Sequence, residues 1–116
     1  MAYEQVGDAT LYRVEVGRLF SSTDIQNLRN DLQGVVERSG RPLLAIDFSA
    51  LQFISSRGLG VLVAIHKLVQ SKQGTLVLFA ATEAIRHVLN TTKLDSILPV
   101  VTDRAAALDA LRKGPT

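Results

Sequence analysis

The chain of 116 residues contains no cysteine and no tryptophan. Without thiols it cannot form a disulfide, a thiolate metal site or a cysteine nucleophile. No apolar run approaches the ~20 residues that a membrane-spanning helix needs, so we expect no membrane contact. Residues 1–8 carry acids and have no apolar core, which is unlike a signal peptide. Together these absences predict a cytoplasmic protein.

Aromatic residues and clustered cations are also scarce. The chain has two Tyr and four Phe, and its 13 Lys and Arg are interspersed with 11 Asp and Glu, for a net charge of +2. A nucleic-acid interface needs clustered cations, usually with aromatic side chains that stack on bases. The composition therefore argues against nucleic-acid binding. The apolar fraction of 47 % is ordinary for a folded domain of this length.

Apolar runs that alternate with amphipathic segments predict the order of strands and helices. An acid at the end of the third strand, Asp47, is expected to cap the turn that follows. We expect strands at Tyr3–Val6, Leu11–Val16, Leu43–Asp47, Thr75–Phe79 and Val100–Val101, with a strand-like tail at Leu51–Ile54. We expect helices at Asp24–Arg38, Leu59–Val69, Glu83–Leu89 and Arg104–Lys113, the last ended by Gly114.

This order predicts an α/β fold. Its sheet should be mixed, with four or five strands, largely parallel and with an antiparallel N-terminal edge, and about four helices should pack on it. We expect one domain over residues 1–113 and a short tail at 114–116.

The segment at residues 54–60, Ile-Ser-Ser-Arg-Gly-Leu-Gly, joins the strand-like tail to the most apolar helix. A helix start presents unpaired N–H groups and the positive end of a dipole. One serine there would be explained as an N-cap, which contributes about 1 kcal/mol. Two hydroxyls exceed what a cap needs, and Arg57 with two glycines leaves backbone that a second protein could approach. Because a helix N-terminus tolerates a phosphate, the segment predicts a switchable binding module.

Catalysis by these serines is a weaker hypothesis. His66 lies ten residues beyond Ser56 in the same predicted helix, about 15 Å along its axis, and His87 lies on another helix. The segment lacks the first glycine of G-x-S-x-G and the third glycine of G-x-G-x-x-G, where Val63 stands. No group of His, Asp and Glu has metal-ligand spacing. We therefore expect no enzyme activity, no cofactor and no metal, and a small hydrolase acting through Ser56 is the least favoured alternative.

Two neighbouring blocks of the sequence match a known signature. They are residues 46–49, Ile-Asp-Phe-Ser, and residues 53–60, Phe-Ile-Ser-Ser-Arg-Gly-Leu-Gly. Together they resemble D-x-S…F-[IM]-D-S-S-G-L-G, the signature of STAS domains in bacterial anti-sigma factor antagonists. Residues 74–78 resemble the strand after the central helix of that family, and residues 84–95 its third helix and the turn after it. The alanine-rich final helix also fits, so the resemblance covers nearly the whole chain.

The resemblance implies a mechanism. In that family an anti-sigma factor that is a serine kinase phosphorylates the serine after the signature Asp. The unphosphorylated antagonist captures the kinase, and a serine phosphatase resets the phosphorylated form. By position the phosphoacceptor is Ser56, with Ser55 as the fallback.

This chain also departs from the family pattern. Ser55 replaces the signature Asp, and Arg57 replaces the second signature serine. The loop G-E-L-D of many relatives reads Gly-Arg-Leu-Phe at residues 17–20, without either acid. Arg57 could pair with a phosphate on Ser56, or could repel a kinase adapted to the usual loop.

We expect the partner-binding surface to comprise Ser21, Ser22, Ser55, Ser56, Arg57, Gly58, Leu59 and Gly60. An alternative with the same fold is a non-phosphorylated adaptor subunit of a signalling or transporter-associated complex. Substitution of Ser56 by Asp separates the two, because a switch would lose its partner and an adaptor would keep it. The sequence leaves self-association, the input signal and the identity of the sigma factor open.

Overall fold

A computed structural model describes residues 2–113 of the chain. The strands in this range are β1 (Ala2–Val6), β2 (Ala9–Arg13), β3 (Arg18–Leu19), β4 (Leu43–Asp47), β5 (Phe53–Ile54), β6 (Thr75–Phe79) and β7 (Val100–Val101). Five of them form a mixed sheet in the order β1-β2-β4-β6-β7. β1 is antiparallel to β2 and the other neighbours are parallel. The predicted sheet with its antiparallel N-terminal edge is confirmed.

Helices cover both faces of this sheet. In the described range they are α1 (Ser22–Glu37), α2 (Ser56–Ser71), α3 (Glu83–Thr91) and α4 (Arg104–Lys113), with a 3-10 turn at Leu94–Ser96. Alternate strand residues point to opposite faces. Leu44, Ile46, Leu76 and Leu78 belong to the core cluster shared with α1, α2 and α3, and Ala45, Val77 and Phe79 belong to the cluster shared with α4. Burial on both faces explains why β4 and β6 are continuous apolar runs.

The second strand ends earlier than the sequence predicts. The ladder between β2 and β4 stops at the pair Arg13–Asp47, whereas the prediction extended the strand to Val16. Val14 is still fully buried, and its N–H donates to the carbonyl of Asp47 at 3.2 Å. The alternation of buried and exposed residues therefore continues into an extended connector, and periodicity alone cannot locate the end of the pairing.

The prediction missed the short strand β3. It pairs in parallel with β5, through Arg18–Phe53 and Leu19–Ile54, as a two-stranded ribbon separate from the main sheet. Two residues are too few for a periodic signal. The ribbon matters for the site because its two strands lead directly into α1 and α2.

Both of these helices begin before their apolar stripes. α1 begins at Ser22 instead of Asp24. α2 begins at Ser56, where the cap chemistry predicts the helix start, three residues before the apolar run at Leu59–Val69. In both helices the first turn is polar. The apolar stripe, from which a helix is predicted, begins only after that turn. The expected tail at 114–116 and the helix stop at Gly114 lie outside the described residues.

Candidate functional site at two helix starts

The ribbon of β3 and β5 places the starts of α1 and α2 side by side. Beyond the two paired positions, the N–H of Ser55 donates to the carbonyl of Leu19 at 2.9 Å. Each strand then enters its helix within one or two residues. Parallel strands run in the same direction, so both helices present their N-terminal ends at the same edge of the molecule.

Ser55 and Ser56 have different roles at the start of α2. Ser55 is the N-cap: its backbone is extended, with φ −79° and ψ 167°, and its Oγ accepts a hydrogen bond from the N–H of Gly58 at 3.2 Å. Ser56 is the first helical residue and is exposed. Among the described residues no hydrogen bond engages its hydroxyl. The cap is thus satisfied without Ser56, whose hydroxyl faces solvent at the positive end of the helix dipole.

The start of α1 repeats this arrangement and contacts α2. Ser21 is the N-cap, and its Oγ accepts from the N–H of Asp24 at 3.0 Å. Ser22 is the exposed first residue, and Arg57 Nη1 donates to its Oγ at 3.1 Å. The structure therefore brings the two predicted serine pairs together and connects them through Arg57.

The remaining predicted partner-binding residues divide between the interior and the surface. Gly58 and Leu59 are buried, with Leu59 8 % exposed. A Cβ at Gly58 would lie 2.8 Å from Ile54 Cγ1, so glycine permits the first turn of α2 to pack directly on β5. Gly60 is exposed, and a Cβ there would meet nothing within 4 Å. Gly58 and Leu59 position the helix start, and Gly60 lies on the accessible surface.

Positive charge dominates this edge of the molecule. Two helix N-termini meet here, α2 has no acid in its first turn, and Arg57 extends across to α1. Asp24 is the acid in the first turn of α1. A groove between the helices is lined by Ile25, Gln26, Arg29, Arg57, Gly60 and Val61. The arrangement suits a ligand surface that carries negative charge.

The sequence analysis did not identify three residues that lie beside the two serine pairs: Arg18, Phe20 and Phe53. Phe20 is 53 % exposed and Phe53 is 40 % exposed. The two rings meet edge-to-face, with centroids 6.2 Å apart. The sequence offers no local signal for them, because Arg-Leu-Phe at residues 18–20 does not alternate between polar and apolar, and the two rings meet through the pairing of β3 with β5.

Within residues 2–113 no hydrogen bond joins His66 or His87 to Ser55 or Ser56. His66 lies in the body of α2, only 6 % exposed, and burial lowers its pKa below the usual range. His87 is exposed on α3. Asp47 has the predicted capping role, because its Oδ1 accepts from the N–H of Ser49 at 2.8 Å.

Within residues 2–113 no group of three or more His, Asp or Glu side chains is arranged to hold a metal ion. No helix in the same range is both long and apolar enough to cross a membrane.

Comparisons with known proteins agree with the resemblance that the sequence suggests. The family model described as STAS domain matches residues 1–107. BtrV of Bordetella bronchiseptica, assigned as an anti-sigma factor antagonist, is 32 % identical over 92 residues, which cover 79 % of this chain and 78 % of BtrV.

Solved structures share the fold. An anti-sigma factor antagonist from Mycobacterium paratuberculosis has a TM-score of 0.82 and 27 % identity, over 96 % of this chain and 92 % of that one. The anti-sigma factor antagonist SpoIIAA in its unphosphorylated form has a TM-score of 0.80 and 17 % identity, over 99 % of this chain and 98 % of that one. The phosphorylated form of SpoIIAA from Bacillus has a TM-score of 0.72 and 18 % identity, over 93 % of this chain and 96 % of that one.

Proposed function

Because the chain belongs to the STAS-domain family, we propose that it is an anti-sigma factor antagonist that works as a phosphorylation switch. In its unphosphorylated form it binds an anti-sigma factor that is also a serine kinase. Phosphorylation of Ser56 releases this partner, and a serine phosphatase restores the binding form. The exchange takes place in the cytoplasm and needs no cofactor of the antagonist itself.

The observation that carries this proposal is the geometry of Ser56. Its hydroxyl is exposed, while the neighbouring Ser55 supplies the cap of α2. A kinase could therefore modify Ser56 without removing the hydrogen bond that holds the helix start together. The Ser55 hydroxyl is half-buried and already engaged in this bond, whereas the Ser56 hydroxyl is exposed, which favours Ser56 as the acceptor.

A phosphate on Ser56 would change the surface without unfolding the helix. It adds a charge of about −1.5 to −2 at an edge that is now positive. The N-terminal dipole of α2 favours an anion, so the modified helix remains stable. A partner whose negative charge complements Arg57 would meet like charge after phosphorylation, which costs several kcal/mol at an interface.

The proposed contact surface consists of the exposed members of the predicted set: Ser22, Ser56, Arg57 and Gly60. Ser21 and Ser55 maintain the helix starts through their caps. Gly58 and Leu59 are buried and do not belong to this surface. They pack the first turn of α2 against β5.

Kinase assays with matched variants test the acceptor. The intact chain is incubated with ATP and, one at a time, with each serine-kinase anti-sigma factor encoded in the same genome. We expect one phosphate per chain by mass spectrometry in the wild type and in S22A, and none in S56A. A phosphate that persists in S56A would reject Ser56 as the acceptor. Stable binding to an anti-sigma factor without any phosphorylation would support the adaptor alternative.

A further inference from the structure

We propose that Arg18, Phe20 and Phe53, here called the aromatic patch, anchor the anti-sigma factor beside Ser56. The inference rests on the proposed function and adds to it the chemistry of the partner. The partner surface would carry an apolar pocket for the two rings, bordered by carboxylates that face the arginines.

The aromatic patch is unusual because its apolar surface is exposed. The large hydrophobic side chains that are exposed in residues 2–113 are Tyr3, Phe20, Phe53 and Ile97. Two of these four contact each other beside the site. Contiguous exposed apolar surface of this kind marks interaction sites in soluble proteins.

The patch is also ordered before any partner binds. Arg18 and Phe53 are paired positions of the β3–β5 ribbon. The Arg18 guanidinium lies 4.7 Å from the Phe53 ring centroid and 5.4 Å from that of Phe20, within the range of a cation–π contact. Aromatic and arginine anchors that are already in place lose little conformational entropy on binding.

The patch is continuous with the proposed contact surface. Phe20 directly precedes the cap Ser21, and Phe53 lies three positions before Ser56. Three residues of extended chain span at most about 10 Å. An interface of ordinary size covers roughly 800 Å² on each partner, so one partner can contact the patch and Ser56 together.

Charge determines which partner fits. No ion pair within residues 2–113 involves Arg18, Arg29 or Arg57. Arg18 contacts both rings, and Arg29 and Arg57 line the groove between α1 and α2, so positive charge lies both on the patch and on the contact surface next to it. A basic partner would be repelled and an acidic rim would be attracted. The same rim would be repelled by a phosphate on Ser56, which connects the patch to the switch.

The test measures the affinity of the full, unphosphorylated chain for the anti-sigma factor kinase by isothermal titration calorimetry. We expect F20A and F53A each to weaken binding at least tenfold. The matched control is I97A, because Ile97 is 49 % exposed but lies near the C-terminal end of α2, beside Gln70 and Gly74. It should bind within about twofold of the wild type.

Charge reversal gives a second, independent variant. R18E should weaken binding at least tenfold and reduce its dependence on ionic strength. K67E, on an exposed residue in the second half of α2, should do neither. Thermal unfolding of every variant separates lost contacts from lost folding, and each variant that binds weakly must unfold at the wild-type midpoint to support the patch.

Three outcomes overturn the inference. Binding of F20A, F53A and R18E within twofold of the wild type, while S56D fails to bind, places the patch outside the interface and leaves the proposed function intact. Equal losses in I97A and K67E show that the effect is not local to the patch. Failure of the wild type to bind any serine-kinase anti-sigma factor overturns the proposed function together with the patch.

Discussion

The starts of α1 and α2 are capped in the same way but differ in their first turns. Each begins with a serine cap followed by an exposed serine, and the cap distances of 3.0 and 3.2 Å are nearly equal. They differ at the third helical residue, which is Asp24 in α1 and Gly58 in α2. They also differ at the second residue, which is Thr23 in α1 and Arg57 in α2.

This difference makes the start of α1 the more stable one, and under the proposed function it leaves the start of α2 suited to binding. An acid near the positive end of a helix contributes roughly 0.3–1 kcal/mol, and Asp24 supplies it in α1. In α2 a glycine costs roughly 0.5–1 kcal/mol relative to alanine, and Arg57 is a cation at the unfavourable end of the dipole. The start of α2 thus retains a positive charge that a partner can use.

The largest effect on stability is expected from a methyl group at Gly58. A Cβ there would lie 2.8 Å from Ile54 Cγ1 and 3.4 Å from Leu19 Cδ2. Overpacking costs about 1–3 kcal/mol, which exceeds the gain in helix propensity. We expect G58A to lower the free energy of unfolding by on the order of 1–2 kcal/mol in urea denaturation.

Gly60 supplies the control for this variant. Its Cβ would meet nothing within 4 Å, so G60A should raise the free energy of unfolding by about 0.5–1 kcal/mol. Equal stability of G58A and G60A would show that close packing is not the reason for glycine at position 58.

Removal of either serine cap should lower the free energy of unfolding by a similar amount, smaller than the effect of G58A. S21A and S55A each leave one helical N–H without its acceptor, which costs about 1 kcal/mol. We expect parallel losses of unfolding free energy, measured under the same conditions. S56A is the matched variant for S55A and should change stability by less than about 0.5 kcal/mol. A larger loss in S56A than in S55A would reverse the roles assigned to these serines.

The smallest changes in stability are expected from charges at the two helix starts. S56D adds an acid to the start of α2, and D24N removes one from the start of α1. The two changes should shift the free energy of unfolding in opposite directions, by roughly 0.3–1 kcal/mol each. Both shifts should shrink in 1 M salt, and the shift of S56D should shrink more, because position 56 is exposed whereas Asp24 is half-buried. A destabilising S56D would contradict the claim that α2 tolerates a phosphate.

Much of the fold follows from local pattern. The continuous apolar runs of β4 and β6 predict those strands to the residue, and Thr102-Asp103 before an amphipathic segment predicts the start of α4. Helix starts are less well predicted, because the first turns of α1 and α2 are polar and lie outside the apolar stripe. The serine pairs themselves follow from cap chemistry.

The rest of the site depends on tertiary pairing. β3 exists because it pairs with β5, which is distant in sequence. The contact of Arg57 with Ser22 and the edge-to-face contact of Phe20 with Phe53 depend on the same pairing. Local sequence contains Arg18 and both phenylalanines, but nothing in it places them on one surface. The sequence therefore predicts the serine pairs at the helix starts and not the aromatic patch beside them.

The most direct test of the claim that Ser56 controls partner binding compares the unmodified chain with the chain phosphorylated at that residue. The affinity for the serine-kinase anti-sigma factor is measured for the unmodified chain, for the chain with phosphoserine placed at position 56 during synthesis, and for S56A. We expect the unmodified chain and S56A to bind alike, and the phosphorylated chain to bind roughly a hundredfold more weakly. Equal affinity of the phosphorylated and unmodified chains would contradict the switch.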